Sequence, residues 1–286
     1  MKKIYPIIFI SMVVFFACSK ENWRHYTPPA AIPYDPSLDP PPVVEVPKGD
    51  TLTFKVMSVG ILHSSASLST FAHIIDSAGV DLVFLREVDN DNNRSGKGVK
   101  QGEDLANLVH MNQFFAKAQD YQTGQYGVSI LSKYPIASTY TQIFPTNRPV
   151  AMISFKIQDT INVYFAGVQF DDVTTAAGAT NRVAQATALL DVTKNITDGP
   201  MILAGNFFIQ TTPSTDPTIT VLKAQFTSAC DTCGYTSPAT GPNVIADHVL
   251  YKAKPGSTAV NVLSYKVLGY TPVTALPVIS EIQFVQ

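Results

Sequence analysis

Two closely spaced cysteines are the residues whose type and spacing point most directly to chemistry. Cys230 and Cys233 form a Cys-x-x-Cys pair, which in cytosolic proteins is typical of a redox site or of half a zinc site. No second cysteine or histidine pair stands nearby, and no thioredoxin-like helix start surrounds the pair. We therefore predict a disulfide that closes a short loop, with a metal-ligand pair as the alternative.

A second polar cluster is the acidic segment Asp89-Asn-Asp-Asn-Asn93. It superficially resembles a calcium loop, but it lacks the glycine and the distal glutamate of EF-hand spacing, so we predict a solvated acidic loop. The chain as a whole carries a formal net charge of only −2 over 286 residues. This balance argues against a general nucleic-acid binder, but it leaves open an enzyme that acts on a small phosphate ester.

The third cysteine, Cys18, lies at the end of a predicted export signal. Lys2 and Lys3 are followed by a mostly apolar run from Ile4 to Phe16, which is too short to span a membrane. The run leads into Ala17-Cys18, which resembles the site cut by the lipoprotein signal peptidase. We predict that residues 1–17 are a signal peptide and that Cys18 carries a lipid anchor that holds the chain at the outer membrane of the cell envelope. Whether the chain faces the cell surface stays open. A simple signal peptide with an incidental cysteine is the alternative.

Prolines dominate the segment that follows, from Tyr26 to Asp50. Proline fixes φ and removes a backbone donor, so this segment cannot pack as a regular helix or sheet. We predict that residues 18–50 combine the lipidated N-terminus with an extended spacer. Residues 51–286 form the folded domain, in which we find no internal repeat.

Within that domain, hydrophobic periodicity predicts strands that alternate with a few helices. Many strands with few helices favour an α/β sandwich of two packed sheets flanked by helices. The predicted helices are Ser67–Ala78, Asp104–Met111 and Asn181–Asn195. The predicted strands are Thr51–Val59, Val80–Val88, Tyr126–Leu131, Val150–Ile157, Ile161–Phe170, Met201–Ala204, Asp247–Tyr251, Val260–Leu268 and Val278–Val285.

Several of these segments, in order and at fitting distances, resemble the motifs of the endonuclease/exonuclease/phosphatase superfamily, the DNase I-like proteins. The resemblance runs from about residue 52 to the C-terminus, and it implies a four-layer sandwich of two mixed sheets flanked by helices. The segments that carry it are Lys55–Ile61, Asp81–Val88, Tyr126–Pro135, Val163–Asp171, Asn181–Gln185, Met201–Phe208 and Ile245–Val249.

The chemistry that the resemblance implies is metal-assisted hydrolysis of phosphoesters. In the family a carboxylate holds Mg²⁺, which polarises the phosphoryl oxygen. An aspartate–histidine pair handles protons, and a further aspartate orients the attacking water. By this resemblance Glu87 corresponds to the metal ligand and Asp247 to the aspartate that orients the catalytic histidine.

The remaining motif positions depart from the family. Where the family has an asparagine, a glutamine and a histidine, this chain has Gly60, Arg86 and Gln169. Arg86 places a permanent cation beside Glu87, which weakens metal binding and offers the carboxylate another partner. Gln169 can donate a hydrogen bond but cannot carry a proton charge.

The last motifs lose their acid–base groups as well. Gly-Asp-Phe-Asn becomes Gly205-Asn206-Phe207-Phe208, so an amide replaces the aspartate and an apolar ring at Phe208 replaces a polar donor. In the C-terminal motif, Thr274 stands for the aspartate and Ala275 for the histidine. His248 neighbours Asp247, but adjacent residues of a strand point to opposite faces, so we predict a core or surface histidine rather than a substitute.

We therefore expect a domain with no intact catalytic residue, in which Gln169, Asn206, Asp247, Thr274, Ala275 and Glu87 are relics and no cofactor is bound. Its partner, a protein, a glycan or a phosphate-bearing ligand, stays open, and nothing strongly indicates nucleic acid. A weak or rewired Mg²⁺-dependent phosphoesterase, built on Glu87, Asp247, Asn206 and His63, is the alternative. Arg86 is either an internal ion pair in place of the metal or the centre of a pocket for a phosphate or carboxylate ligand.

Overall fold

Strands dominate the part of the chain that the structure describes, and each of these strands belongs to one of two sheets. The computed structural model describes residues 51–64, 67–269, 271, 273 and 275–285. In chain order the elements are β1 (Thr51–Gly60), α1 (Leu68–Ala78), β2 (Leu82–Asn90), α2 (Gln101–Leu108), β3 (Asn112–Tyr121), β4 (Gly124–Ser132), β5 (Ser138–Phe144), β6 (Arg148–Ile157), β7 (Ile161–Gln169), α3 (Ala176–Thr193), β8 (Met201–Ile209), α4 (Pro217–Leu222), β9 (Thr227–Ser228), β10 (Ile245–Lys252), β11 (Ala259–Val267) and β12 (Val278–Val285).

Both sheets have six strands and mixed pairing. The order in the first sheet is β11-β12-β1-β2-β4-β3, and in the second it is β5-β6-β7-β8-β10-β9. Each sheet contains one parallel pair, β1–β2 in the first and β7–β8 in the second. A parallel pair needs a crossover connection, and the helices α1 and α3 lie in these two connections.

Three apolar cores hold four layers together. One core lies between the sheets and includes Phe54, Phe84, Phe155 and Phe165. A second core joins the first sheet to α1 and α2, and a third joins the second sheet to α3 and α4. The predicted α/β sandwich of two mixed sheets flanked by helices is therefore confirmed.

The predicted elements are largely present, and the differences have local causes. The helix predicted at Asp104–Met111 begins at Gln101 and ends at Leu108. The prediction ran past the end of the helix because Val109 and Met111 continue its apolar spacing. Both residues follow the helix and pack in the same core. The edge strands β3 and β5 were missed because neither alternates regularly between apolar and polar residues. Six of the seven residues of β5 are exposed, whereas seven of the ten residues of β3 are half-buried or buried.

Within the part of the chain that the structure describes, no helix is long and apolar enough to cross a membrane. The predicted signal peptide, Cys18 and the proline-rich spacer lie outside the described residues, and so does Thr274.

Candidate functional site

The candidate site lies where strands of both sheets end side by side. In the first sheet, Gly60 ends β1 and stands in register with Arg86 of β2. In the second, Gln169 ends β7 and is aligned with Asn206 of β8, which is aligned in turn with Asp247 of β10. Hydrogen bonds between Arg86 and Asp247 join the two rows.

A bulge in β2 brings Arg86 and Glu87 to the same place. The register between β2 and β4 shifts between Leu85 and Val88, and Glu87 has a φ of +61°, in the left-handed region. Neighbours in a regular strand point to opposite faces, but a bulge redirects side chains. As a result, Arg86 Nη1 lies 3.1 Å from Glu87 Oε1.

Arg86 also holds the other retained acidic residue. Its Nε donates to both carboxylate oxygens of Asp247 at 3.3 Å, and its Nη2 donates to Oδ2 at 3.0 Å. The hydroxyl of Ser58 donates to Asp247 Oδ1 at 2.6 Å. Asp247 thus has a full set of partners without a histidine, and charge-assisted hydrogen bonds of this kind are the strong ones.

Gly60 provides the space in which the guanidinium lies. A Cβ atom at this position would lie 2.6 Å from Arg86 Cζ and 2.7 Å from its Nη1. Any side chain at position 60 would therefore displace the guanidinium. Arg86 in this orientation consequently requires glycine at position 60.

Burial makes this ion-pair cluster unusual. The side chain of Arg86 is 4% exposed, that of Asp247 is 0% exposed, and that of Glu87 is 15% exposed. Burial by itself lowers the pKa of Arg86, but attraction by Asp247 and Glu87 outweighs it and raises the pKa above its ordinary value. The guanidinium is therefore charged at every physiological pH.

Gln169 is used inside the site as well. It is buried and its side chain is hydrogen-bonded to Tyr126 of β4. Burial, with the negative charge of Glu87 adding to it, raises the pKa of Tyr126 to about 12, so its hydroxyl keeps its proton. A neutral amide and a neutral phenol therefore occupy the place where the family's histidine is expected.

Asn206 stabilises its own turn. Its Oδ1 accepts a hydrogen bond of 2.9 Å from the backbone N–H of Phe208, which is the geometry of an Asx-turn. The ring of Phe208 lies 5.3 Å from the guanidinium of Arg182. Both residues thus contribute to local structure, and an amide cannot act as a base.

His248 is a core residue of β10. It is fully buried, and burial lowers its pKa to about 3. Ser228 Oγ donates to the carbonyl of Cys230, so this hydroxyl must accept from His248 Nε2 at 2.8 Å. Nδ1 then accepts from the hydroxyl of Tyr265, also at 2.8 Å. His248 is therefore a neutral, satisfied histidine that faces away from the carboxylate of Asp247.

The cysteine pair lies beside this histidine. The structure joins Cys230 to Cys233 in a disulfide, and Cys233 Sγ is 3.9 Å from His248 Nδ1. The loop continues to Thr236, whose Oγ1 accepts from the backbone N–H groups of Ala246 and Asp247. The loop therefore holds the start of β10, and with it Asp247, in place.

The acidic segment after β2 differs from its prediction. Asp89 and Asn92 are buried rather than solvated. Arg94 makes two hydrogen bonds of 2.7 Å to the carboxylate of Asp89, and its guanidinium lies 4.3 Å from the ring centre of Tyr121. The expectation of a solvated loop was wrong at Asp89 and Asn92. Asp89 can be buried because Arg94 neutralises its carboxylate.

Two other residues singled out from the sequence, His63 and Ala275, make no ion pair with Arg86, and His63 lies at the edge of the site. His63 is half-buried beside Tyr126, with 5.8 Å between ring centres, and burial lowers its pKa. Ala275 is buried. Near Tyr126, Arg148 at the start of β6 pairs with Asp172 at 2.7 Å. Sequence reasoning missed Ser58, although its spacing of two residues from Gly60 on β1 places both on one face of the strand.

The residues present do not fit the metal that the resemblance implies. Arg86 binds both surviving carboxylates, and Gly60 offers no ligand. Among the described residues no group of three or more histidine, cysteine, aspartate or glutamate side chains could hold a metal ion. A divalent cation would have to bind carboxylates that already form ion pairs with the Arg86 guanidinium at 3.0 and 3.1 Å, and repulsion between the two cations disfavours this.

Comparison with known protein families identifies the family of this chain. The model of the endonuclease/exonuclease/phosphatase family matches residues 60–262. That match spans more than half of the sequence, and it contains Gly60, Arg86, Glu87, Gln169, Asn206 and Asp247, but not Ser58 or Ala275. The chain therefore belongs to the endonuclease/exonuclease/phosphatase family.

Solved structures share the fold at low sequence identity. A family member from Bacteroides thetaiotaomicron has a TM-score of 0.63 and 17% identity, over 82% of this chain and 98% of that one. A mannosyl-6-phosphatase from the same organism has a TM-score of 0.61 and 16% identity, over 80% and 99%. The human Nocturnin catalytic domain with bound sulfate has a TM-score of 0.63 and 15% identity, over 81% and 93%. No curated protein matches the sequence.

Proposed function

We propose that this chain is a non-catalytic member of its family, which serves as a binding or interaction module at the cell envelope. The observation that carries the proposal is the position of Arg86, whose guanidinium is hydrogen-bonded to both retained carboxylates, Glu87 and Asp247. An internal cation thus takes the role that a metal ion has in the family. The domain stays folded, but this cation is held by the two carboxylates and is not available to polarise a phosphoryl group.

The acid–base groups support the same proposal. Asp247 is bound by Arg86 and Ser58 and has no histidine to orient. Ala275 has no proton to transfer, and Asn206 is engaged in its own turn. Loss of one acid–base group typically lowers the rate by a factor of about 10² to 10⁴. Such losses are not additive within one site, but a single one already leaves little turnover.

Burial argues against a ligand at the strand ends. Arg86, Gln169 and Asn206 are 3%, 3% and 4% exposed. A phosphate or carboxylate ligand at Arg86 would have to displace Asp247 from the guanidinium. The internal ion pair is therefore the better account of Arg86, and we place the interaction surface elsewhere on the domain.

Hydrolysis assays test the proposal. The purified full chain is incubated with Mg²⁺ or Mn²⁺ and with bis-p-nitrophenyl phosphate, p-nitrophenyl phosphate or single-stranded DNA. A metal-dependent nuclease of known activity serves as the positive control. We expect turnover no higher than that of the Glu87→Gln variant, which reports contaminating activity. Metal-dependent turnover that disappears in this variant would overturn the proposal.

One observation favours the alternative of a rewired metal-dependent phosphoesterase. Glu87 Oε2 is buried and has no hydrogen-bond partner among the described residues, so one carboxylate oxygen is left over for a cation. Calorimetric titration with Mg²⁺, Mn²⁺ and Ca²⁺ separates the two proposals. Binding at millimolar concentration or tighter, abolished by Glu87→Gln, would support the alternative, and the absence of binding would remove it.

The location at the envelope rests on Cys18. If this residue is lipidated, cells that express the chain incorporate a radiolabelled fatty acid into it, and the protein fractionates with membranes. The matched Cys18→Ser variant should lose the label and move to the soluble fraction. Cys230→Ser serves as the control, because it also removes a cysteine but should retain both the label and the membrane association.

A further inference from the structure

The free edge of the second sheet stands out among the sheet edges that the structure describes. Strand β5 pairs with β6 over seven consecutive residues without a bulge. Six of its seven side chains are exposed, including the large apolar side chains of Tyr140 and Ile143. The other side of β5 has no strand partner among the described residues. A row of unpaired backbone groups is thus available to another strand.

The other three edges carry features that discourage pairing. Strand β9 has only two residues. Strand β11 contains a bulge between Val262 and Ser264 and carries Lys266. Strand β3 contains a bulge between Lys117 and Gln119, and Lys117 forms an exposed ion pair with Asp120. Short strands, bulges and edge lysines are the usual ways of blocking edge-to-edge association.

No such protection exists at β5. Its sequence is Ser-Thr-Tyr-Thr-Gln-Ile-Phe, and no charged residue occurs between Lys133 and Arg148. The strand contains no proline, and threonine, tyrosine, isoleucine and phenylalanine all favour strands. A regular, uncharged and β-prone edge is expected to associate unless something covers it.

We propose that β5 is an interaction surface and that its partner is β5 of a second copy of this chain, in antiparallel pairing. The surface consists of residues Ser138–Phe144. The two copies would continue the second sheet across a two-fold axis. This inference does not depend on whether the strand-end site turns over a substrate.

The sequence of β5 favours a second copy over an unrelated strand. Antiparallel pairing centred on Thr141 places this residue opposite itself, and threonine–threonine pairs across strands are favourable. It also places Tyr140 opposite the second copy's Gln142, and the Tyr140 hydroxyl already donates to Gln142 Oε1 within one chain. Because the edge is uncharged, two identical edges meet without electrostatic repulsion.

Sedimentation velocity on the full chain in a density-matched non-ionic detergent tests the proposal. Concentrations from about 1 µM to 1 mM span the affinities of small interfaces. We expect a concentration-dependent dimer. Thr141→Lys places like charges directly opposite each other, so it should raise the dissociation constant at least about tenfold, and Thr141→Glu should do the same. An equimolar mixture of the two variants should restore the dimer.

Leu263→Lys on β11 is the matched control, because Leu263 is also an exposed apolar residue of an edge strand. This variant should dimerise like the parent chain. A Thr141→Cys variant, whose central cysteines would face each other, should cross-link under mild oxidation. A chain that remains monomeric over the whole range would overturn the proposal. Equal effects of Thr141→Lys and Leu263→Lys, or no restored dimer in the mixture, would also overturn it.

Discussion

Replacing Arg86 by methionine removes the cation but keeps a long apolar side chain in the space beside Gly60. The carboxylates of Asp247 and Glu87, now 0% and 15% exposed, would lose their guanidinium. Breaking a buried ion pair by removing one partner costs about 3–5 kcal/mol. A domain of this class unfolds with a free energy of about 5–15 kcal/mol, so the loss would be a large fraction of the total.

We therefore expect Arg86→Met to remain folded at room temperature but to melt about 10 °C below the parent chain, at about 2–4 °C per kcal/mol for a domain of this size. Most of the cost comes from Asp247, because Glu87 retains some contact with solvent. Urea unfolding followed by circular dichroism measures the free-energy change, and calorimetry measures the melting temperature.

A divalent cation should partly rescue this variant. Without Arg86, two carboxylates face each other with no positive charge, and a hard cation prefers such oxygen ligands. At ten times its dissociation constant, a ligand that binds only the folded state stabilises it by about 1.4 kcal/mol. MgCl₂ should therefore raise the melting temperature of Arg86→Met, but not that of the parent chain, relative to NaCl of equal ionic strength.

Arg94→Met is the matched control. It breaks a comparable pair, but the side chain of Arg94 is 27% exposed and it contacts one carboxylate, Asp89. Its loss of stability should be smaller, and Mg²⁺ should not restore it. If Arg86→Met is within about 1 kcal/mol of the parent chain, the ion pair does not stabilise the fold as argued. If Mg²⁺ stabilises both chains equally, Arg86 does not exclude the cation.

Three further changes have defined outcomes. Gly60→Ala should lower the free energy of unfolding by about 1–3 kcal/mol through overpacking. A double-mutant cycle in urea should show a smaller cost in the Arg86→Met background, and an unchanged cost would contradict the contact between position 60 and the Arg86 guanidinium. The pKa of His248 is lowered to about 3 in the fold, whereas in the unfolded chain it is about 6.5. Between these two values only the unfolded chain binds the proton, so the free energy of unfolding falls by about 1.4 kcal/mol for each pH unit below about 6.5. His248→Gln should remove that part of the pH dependence of unfolding, and an unaltered pH profile would refute a neutral buried histidine. Reduction of Cys230–Cys233 should cost about 2 kcal/mol, since the closed loop is short; Cys230→Ser should melt at the same temperature with and without reductant.

Much of the fold could be predicted from the sequence because its signals are local. Apolar spacing identified α1 and α3, and runs of β-branched and aromatic residues identified the central strands β2, β7 and β10. These segments are buried on at least one face, and burial imposes the periodicity that the sequence records. Strand β5 is almost wholly exposed at a sheet edge, where no such pattern is imposed, and β3 mixes polar and apolar residues without regular alternation.

The sequence by itself also determined which side-chain groups are missing from the motif positions. Glycine at position 60 and alanine at position 275 have no side-chain group that could ligate a metal or transfer a proton in any fold. It identified Arg86 as a cation beside Glu87, but it left open whether this arginine forms an internal ion pair or a pocket for an anion.

Only the tertiary structure decided where the guanidinium lies. Arg86 and Asp247 are 161 residues apart in the chain and belong to different sheets, so no local pattern encodes their contact. The bulge at Glu87 and the bare backbone of Gly60 determine the direction of the arginine side chain, and Ser58 satisfies the remaining lone pair of Asp247. The packing of the two sheets brings these groups within hydrogen-bond distance. This contact is what makes their burial stable, because a buried charge is stable only when it has a partner.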